Sequence, residues 1–215
     1  MTALLVLLAM SLLQPRVRIV AMGDSTTAGT PAFKSPREAP PRGEGDETSQ
    51  YAYWLMRAHP EWEVVNQGVN AQRSDVIEAR FDADVVALKP AVVVVIAGVN
   101  DVYQGRPAQH VTEQLAAMYR RARAAGIHVV AGTIIPFNTA TPDQNARMHA
   151  VNAWIRAQAD AGVVTLADTR QAVAAPGNPD RLASSPDGLH PDAAGYRRMA
   201  EAIAPAVQRA LSARR

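Results

Sequence analysis

The stretch AVVVVIA, Ala91 to Ala97, is apolar at every position. β-Branched residues in succession favour an extended chain, and an apolar run without alternation needs cover on both faces, as in a central strand of a parallel sheet. Outward from it lie further short runs rich in Val and Ile: Val17–Met22, Glu63–Asn66, Ile127–Ile135 and Val163–Leu166. Between them, apolar residues recur three and four apart, as a helix facing a core requires. Tyr51, Trp54, Leu55 and Ala58 make one such face; Val111, Leu115, Met118, Tyr119 and Ala122 make another; Val151, Ile155 and Ala159 outline a third. Ala193 to Leu211 reads as a last helix, with Pro191 and Asp192 near its start. This alternation predicts a three-layer α/β/α domain with a mainly parallel sheet.

The 215 residues suit one domain, placed at residues 15–215, with an apolar segment at 1–14 before it. A net charge of +2 without any Lys/Arg run interleaved with aromatics gives no nucleic-acid signal. Absence of cysteine excludes disulfides, thiolate chemistry and cysteine-based zinc sites. Neither G-x-G-x-x-G nor G-x-x-x-x-G-K-[ST] occurs, so no phosphate-binding glycine loop is expected. Ala3 to Leu13 is too short to span a membrane, which takes about 20 apolar residues. It resembles the h-region of a secretory signal but lacks a preceding positive charge. Two readings stay open: an export signal or its remnant, which would make the protein periplasmic or secreted, and an N-terminal helix packed on the domain.

In parallel sheets, ligands bind beyond the carboxyl ends of the strands. Three short motifs fall there: Gly23-Asp24-Ser25 after the first run, Gly68 after the second, and Gly98-Val99-Asn100-Asp101 after the third. A serine hydroxyl is a weak nucleophile until a base takes its proton. Of the five histidines, His59 ends a helix and His128 sits in a strand, while His110 and His149 have no motif around them. His190 lies in the loop SSPDGLHP before the last helix, and Asp187, three residues earlier, can orient its ring. The backbone N–H groups of Ser25 and Gly68 and the side-chain amide of Asn100 could stabilise an oxyanion. Gly68 suits that role because a missing side chain leaves a backbone N–H accessible. Asp24 and Asp101 read as braces for their turns. Thr30 to Thr48, with Pro31, Pro36, Pro40 and Pro41, is long for a compact domain and reads as a binding loop or lid.

At these residues the chain resembles the SGNH/GDSL hydrolase family of esterases and lipases. Its four blocks match Ser25 in GDST, Gly68 in NQGVN, Asn100 in GVND and His190 in DGLHP, over residues 17 to 211. Thr26 stands where the older motif has Leu, and Ala71 replaces the last glycine of N-x-G-x-x-G. The resemblance implies a flavodoxin-like sheet of five parallel strands in the order 2-1-3-4-5, and no metal or organic cofactor. It implies an acyl-serine intermediate on Ser25, with His190 as base and then acid. The G-x-S-x-G elbow of the α/β-hydrolases is absent. The expected partner is a small-molecule ester of small to medium acyl chain, with Phe33, Tyr103, Phe137 and Leu189, beside Val102, Ile135 and Pro136, as candidate acyl contacts. Carbohydrate O-acetyl esterase, acyltransferase and a non-catalytic binding domain on the same fold are the alternatives.

Overall fold

The structure, a computed structural model, describes residues 16–213; the candidate export segment at 1–14 lies outside them. In chain order the elements are β1 (Val17–Gly23), α1 (Ser25–Ala28), β2 (Phe33–Lys34), β3 (Glu44–Gly45), α2 (Tyr51–Ala58), β4 (Trp62–Gly68), α3 (Ser74–Ala79), α4 (Phe81–Asp84), β5 (Val92–Ile96) and α5 (Val99–Tyr103). They continue with α6 (Ala108–Ala124), β6 (His128–Gly132), α7 (Pro142–Asp160), β7 (Thr165–Ala167), α8 (Thr169–Val173), β8 (Ala174–Ala175), β9 (Asn178–Leu182) and α9 (Ala193–Ser212). The five-stranded sheet runs β4-β1-β5-β6-β7 with every pairing parallel. This is the expected order 2-1-3-4-5, flanked by helices in three α/β/α layers.

The side chains of each strand alternate between two apolar cores. Val20, Met22, Val93, Val95, Val129 and Ala131 face the core built with α3, α4, α6 and α7, through Ile77, Phe81, Leu115, Met118 and Val151. Ile19, Ala21, Val92, Val94, Ile96 and Val130 face the other, where Tyr51 and Leu55 of α2 meet Tyr196, Met199 and Ile203 of α9. All five residues of β5 are buried, which is why its sequence shows no alternation. Edge strand β4 alternates buried and half-buried positions.

Local signals set the helix ends. Thr141 and Gln144 form a reciprocal capping box at the start of α7, with Pro142 in its first turn. Asp192 accepts from Gly195 N–H at the start of α9. The 30–48 segment is more ordered than a free loop: Phe33–Lys34 pairs antiparallel with Glu44–Gly45. Ser35 Oγ donates to the Gly68 carbonyl at 2.6 Å, and the Glu38 carboxylate accepts from Asn70 N–H at 2.9 Å. The segment therefore buttresses the turn after β4 from behind.

The carboxyl ends of β1 and β4 meet as a glycine pair, Gly23 opposite Gly68. A Cβ on Gly68 would overlap the backbone of Thr27 and Ala28, so α1 can lie against the strand end only if that position has no side chain. Gly68→Ala is expected to destabilise the fold by about 1–3 kcal/mol, read by urea unfolding. An unchanged midpoint would mean that α1 does not need this approach.

Candidate active site

Ser25 is the first residue of α1, a single helical turn directly after β1. Asp24 caps that turn, its Oδ1 accepting from Thr26 N–H at 2.9 Å. Asn66 of β4 holds the other end: its Nδ2 donates to the Thr27 carbonyl at 2.9 Å. The loop before α9 brings in His190. Asp187 Oδ1 accepts from the N–H groups of Leu189 (2.9 Å) and His190 (2.8 Å), and Ser185 Oγ donates to the His190 carbonyl at 2.6 Å. The loop is thus folded around the aspartate carboxylate by backbone bonds that do not involve the ring.

The ring joins both sides. His190 Nδ1 lies 2.7 Å from Asp187 Oδ2, and Nε2 lies 2.9 Å from Ser25 Oγ, across 165 positions of sequence. An ionised carboxylate only accepts, so Nδ1 carries the hydrogen and the Nε2 lone pair faces the Ser25 hydroxyl, which donates to it. Burial pushes the Asp187 pKa up, but the His190 ring and the Leu189 and His190 N–H groups outweigh it, leaving the carboxyl below its ordinary range. It is therefore ionised at neutral pH and suited to orient the ring.

A cleft of about 190 Å³ opens over Ser25, lined by Ser25, Thr26, Asn70, Ala71, Val99, Asn100, Tyr103, Phe137, Leu189 and His190. Asn100 sits in the first turn of α5, where its Nδ2 donates one hydrogen to the Gln72 carbonyl at 3.0 Å and keeps its second. Asp101 beside it is fully buried and braces its turn across the fold, accepting from Ser74 N–H and Ser74 Oγ at 2.8 Å each.

Gly68 does not take the place expected of it. It is buried under α1, its N–H is bound by Asn66 Oδ1 at 2.9 Å, and it is not among the cleft residues. Three residues on, Ala71 lines the cleft with a left-handed backbone, φ +60°, and its N–H donates to no acceptor among the described residues. The signal was present in the sequence, since Ala71 holds the last glycine position of N-x-G-x-x-G, but alanine hides the positive φ that glycine would announce. Phe33 is also displaced from its expected role. It is 3% exposed, packed against Gly29 and Gly43, and away from the cleft. Val102 and Ile135 belong to the two cores. Tyr103, Phe137 and Leu189 do line the cleft, and the Tyr103 and Phe137 rings meet edge to face with centroids 5.8 Å apart.

Asp75, Asp101 and His110 bring one donor atom each within 4.8 Å of one another. The two carboxylates are already committed, Asp101 to Ser74 and Asp75 to the Arg73 guanidinium through both oxygens, while His110 Nε2 has no hydrogen-bond partner among the described residues. His59 stacks on Trp62 with centroids 3.9 Å apart, in keeping with a structural role.

With this geometry in view, the comparisons with known proteins are decisive for the family. The model of the GDSL-like lipase/acylhydrolase family matches residues 21–198. The chain belongs to this family. Among solved structures, a GDSL-like lipase from Bacteroides thetaiotaomicron is 25% identical with a TM-score of 0.73, the match covering 96% of each chain. A psychrotrophic esterase from Pseudoalteromonas sp. is 17% identical with a TM-score of 0.68, over 91% of this chain and 99% of that one. A variant of an acetyl-xylooligosaccharide esterase from Geobacillus Stearmophilus is 21% identical with a TM-score of 0.66, over 92% and 94%. No curated protein matches closely enough to count as a relative. Among the described residues of this acylhydrolase-family chain, no helix is long and apolar enough to cross a membrane.

Asp24 carries a measurable consequence of its burial. Its Oδ2 has no hydrogen-bond partner among the described residues. Burial, opposed by the Thr26 bonds and reinforced by the Asp101 carboxylate, raises its pKa to about 7. An unfolded aspartate titrates at about 3.9. Between those values the native state binds more protons than the unfolded chain. The associated stability is therefore full at low pH and is lost as pH rises through about 7. Asp24→Asn keeps an acceptor for Thr26 and removes the titration. Its stability relative to wild type should rise with pH between about 4 and 7 and level off above, as read by urea unfolding across pH. Parallel pH profiles would contradict the burial of an ionisable Asp24.

Proposed function

We propose that this chain is a serine esterase that hydrolyses neutral carboxylic esters of small to medium acyl chain through an acyl-Ser25 intermediate. The observation that carries the reading is the continuous line Asp187 Oδ2···Nδ1 His190 Nε2···Oγ Ser25, at 2.7 and 2.9 Å, at the floor of a cleft. In this reading His190 Nε2 takes the Ser25 proton as Oγ attacks the ester carbonyl carbon. Charge on the carbonyl oxygen is met by the N–H groups of Ser25 and Ala71 and the free amide hydrogen of Asn100. Protonated His190 then passes its proton to the departing alcohol oxygen as the C–O bond breaks. Water, deprotonated in turn by His190, attacks the acyl carbon and releases the carboxylic acid and Ser25. Asp187 stabilises the imidazolium at both stages.

Cleft chemistry supports the substrate class. Among the described residues, no Lys, Arg, Asp or Glu lines it, so nothing there pairs with a charged acyl or alcohol group. Its volume of about 190 Å³ is somewhat larger than a cavity of roughly 150 Å³ that accommodates benzene. That size suits a short acyl chain against Val99, Tyr103, Phe137 and Leu189. A second reading, removal of acetyl groups from sugars, is favoured by Tyr103 at 55% exposure, an aromatic face open at the cleft mouth.

With p-nitrophenyl butyrate, Ser25→Ala and His190→Ala should each lower kcat/KM by at least about 10,000-fold, and Asp187→Ala by less, since the nucleophile and base remain. An unchanged rate in His190→Ala would require a different base. Across p-nitrophenyl esters of increasing length, kcat/KM should peak at short to medium acyl chains and fall for palmitate. A preference for acetylated sugars over every aryl ester would move the assignment to the second reading.

A further inference from the structure

Arg80 lies between α3 and α4, and its side chain is only 12% exposed. Its guanidinium reaches three separate parts of the chain. Nε donates to Gln72 Oε1 at 2.7 Å, Nη2 to the Gly23 carbonyl at 2.9 Å, and Nη1 to Asp84 Oδ2 at 2.7 Å. Asp84 also accepts from Arg37 Nε at 3.3 Å, so the buried cation has an anionic partner and that partner is itself fixed. Gly23 and Gln72 both adjoin groups that face the cleft. Gly23 ends the strand that leads through Asp24 to Ser25. Gln72 is next to Ala71, and its carbonyl is the acceptor that holds Asn100 Nδ2 at 3.0 Å. The Ser25 hydroxyl and the donors opposite it therefore come from segments tied to one planar fork.

The geometry points to Arg80 as a positioning residue that sets the spacing between Ser25 and the oxyanion donors Ala71 and Asn100. The inference rests on the acyl-Ser25 reading. Arg80 touches no substrate; it acts through Gly23 and Gln72. A guanidinium holds its donors in a rigid plane, so it fixes the distance between two acceptors in a way that a lysine point charge does not. Donors aimed at an oxyanion matter most in the transition state, and a misplacement of about 1 Å costs roughly 100-fold in rate. Loosening the fork should thus lower kcat and leave KM nearly unchanged.

Two variants separate this from a plain structural brace. Arg80→Lys keeps a cation beside Asp84 and loses the fork. Gln72→Ala cuts only the link to the oxyanion loop and leaves the Arg80–Asp84 pair in place. With p-nitrophenyl butyrate, each should lower kcat per folded molecule by about 10- to 100-fold with KM within about twofold. The double variant should lose little more than Arg80→Lys alone, because the bond that Gln72→Ala removes is one of those the lost fork made. The folded fraction and Tm are measured on the same samples, and if Arg80→Lys does not fold, Gln72→Ala decides. Wild-type kcat per folded molecule in Gln72→Ala, or losses that multiply fully in the double variant, would overturn the positioning role while leaving the esterase reading intact. A wild type that turns over no ester would overturn that reading and the inference with it.

Discussion

The close approach of two strand ends is the constraint on which the site depends. Gly23 and Gly68 face each other in register at the rim of the parallel sheet, and neither has room for a Cβ. That absence lets α1 fold back over the end of β4, where Asn66 binds both the Thr27 carbonyl and the Gly68 N–H. Ser25 then stands at the first position of the turn. A bulkier rim would lift α1 off the strand, and the hydroxyl would no longer meet a ring delivered from 165 residues away.

Around that contact, polar groups are bound in reciprocal sets. The Asp187 carboxylate folds its own loop through Leu189 and His190 N–H groups before it orients the imidazole. Asp101 ties α5 to the start of α3 through Ser74, and Asn100, the next residue back, is held by Gln72. The 30–48 segment adds Ser35 on Gly68 and Glu38 on Asn70. A segment that reads as a binding loop because of its length and prolines thus works from behind the cleft wall. Buried polar networks of this kind fix geometry when their members are satisfied; of the six buried side-chain atoms without a partner among the described residues, Asp24 Oδ2 is the one next in sequence to Ser25.

The sheet was legible because its strands are short runs of β-branched residues, and the central AVVVVIA could be covered only on both faces. The long helices were legible from apolar spacing and from Asp192 before Ala193. Not legible were α3, α4, α8 and the pairs β2–β3 and β8–β9, elements of two to six residues. Such pieces are too short to carry a period, and tertiary contacts hold them. The juxtaposition of Ser25, Asp187 and His190 was legible because it follows from residue type, local spacing and position at the strand ends. The place of Ala71 in the cleft wall was not, because it depends on a positive φ, and alanine does not advertise one. Phe33 misleads for the opposite reason: an apolar residue close in sequence to Ser25 is equally suited to packing within its own segment, here against Gly29 and Gly43. Arg80 was invisible because its acceptors lie on separate segments that only the fold brings together.

In the proposed mechanism Ser25 is the nucleophile, activated by His190. Incubation with a serine-directed alkyl phosphonate, followed by intact mass and peptide mapping, tests it most directly. One adduct per chain is expected, on the peptide carrying Ser25, absent from Ser25→Ala and formed far more slowly in His190→Ala. No adduct on the wild type, or equal labelling of Ser25→Ala, would contradict it.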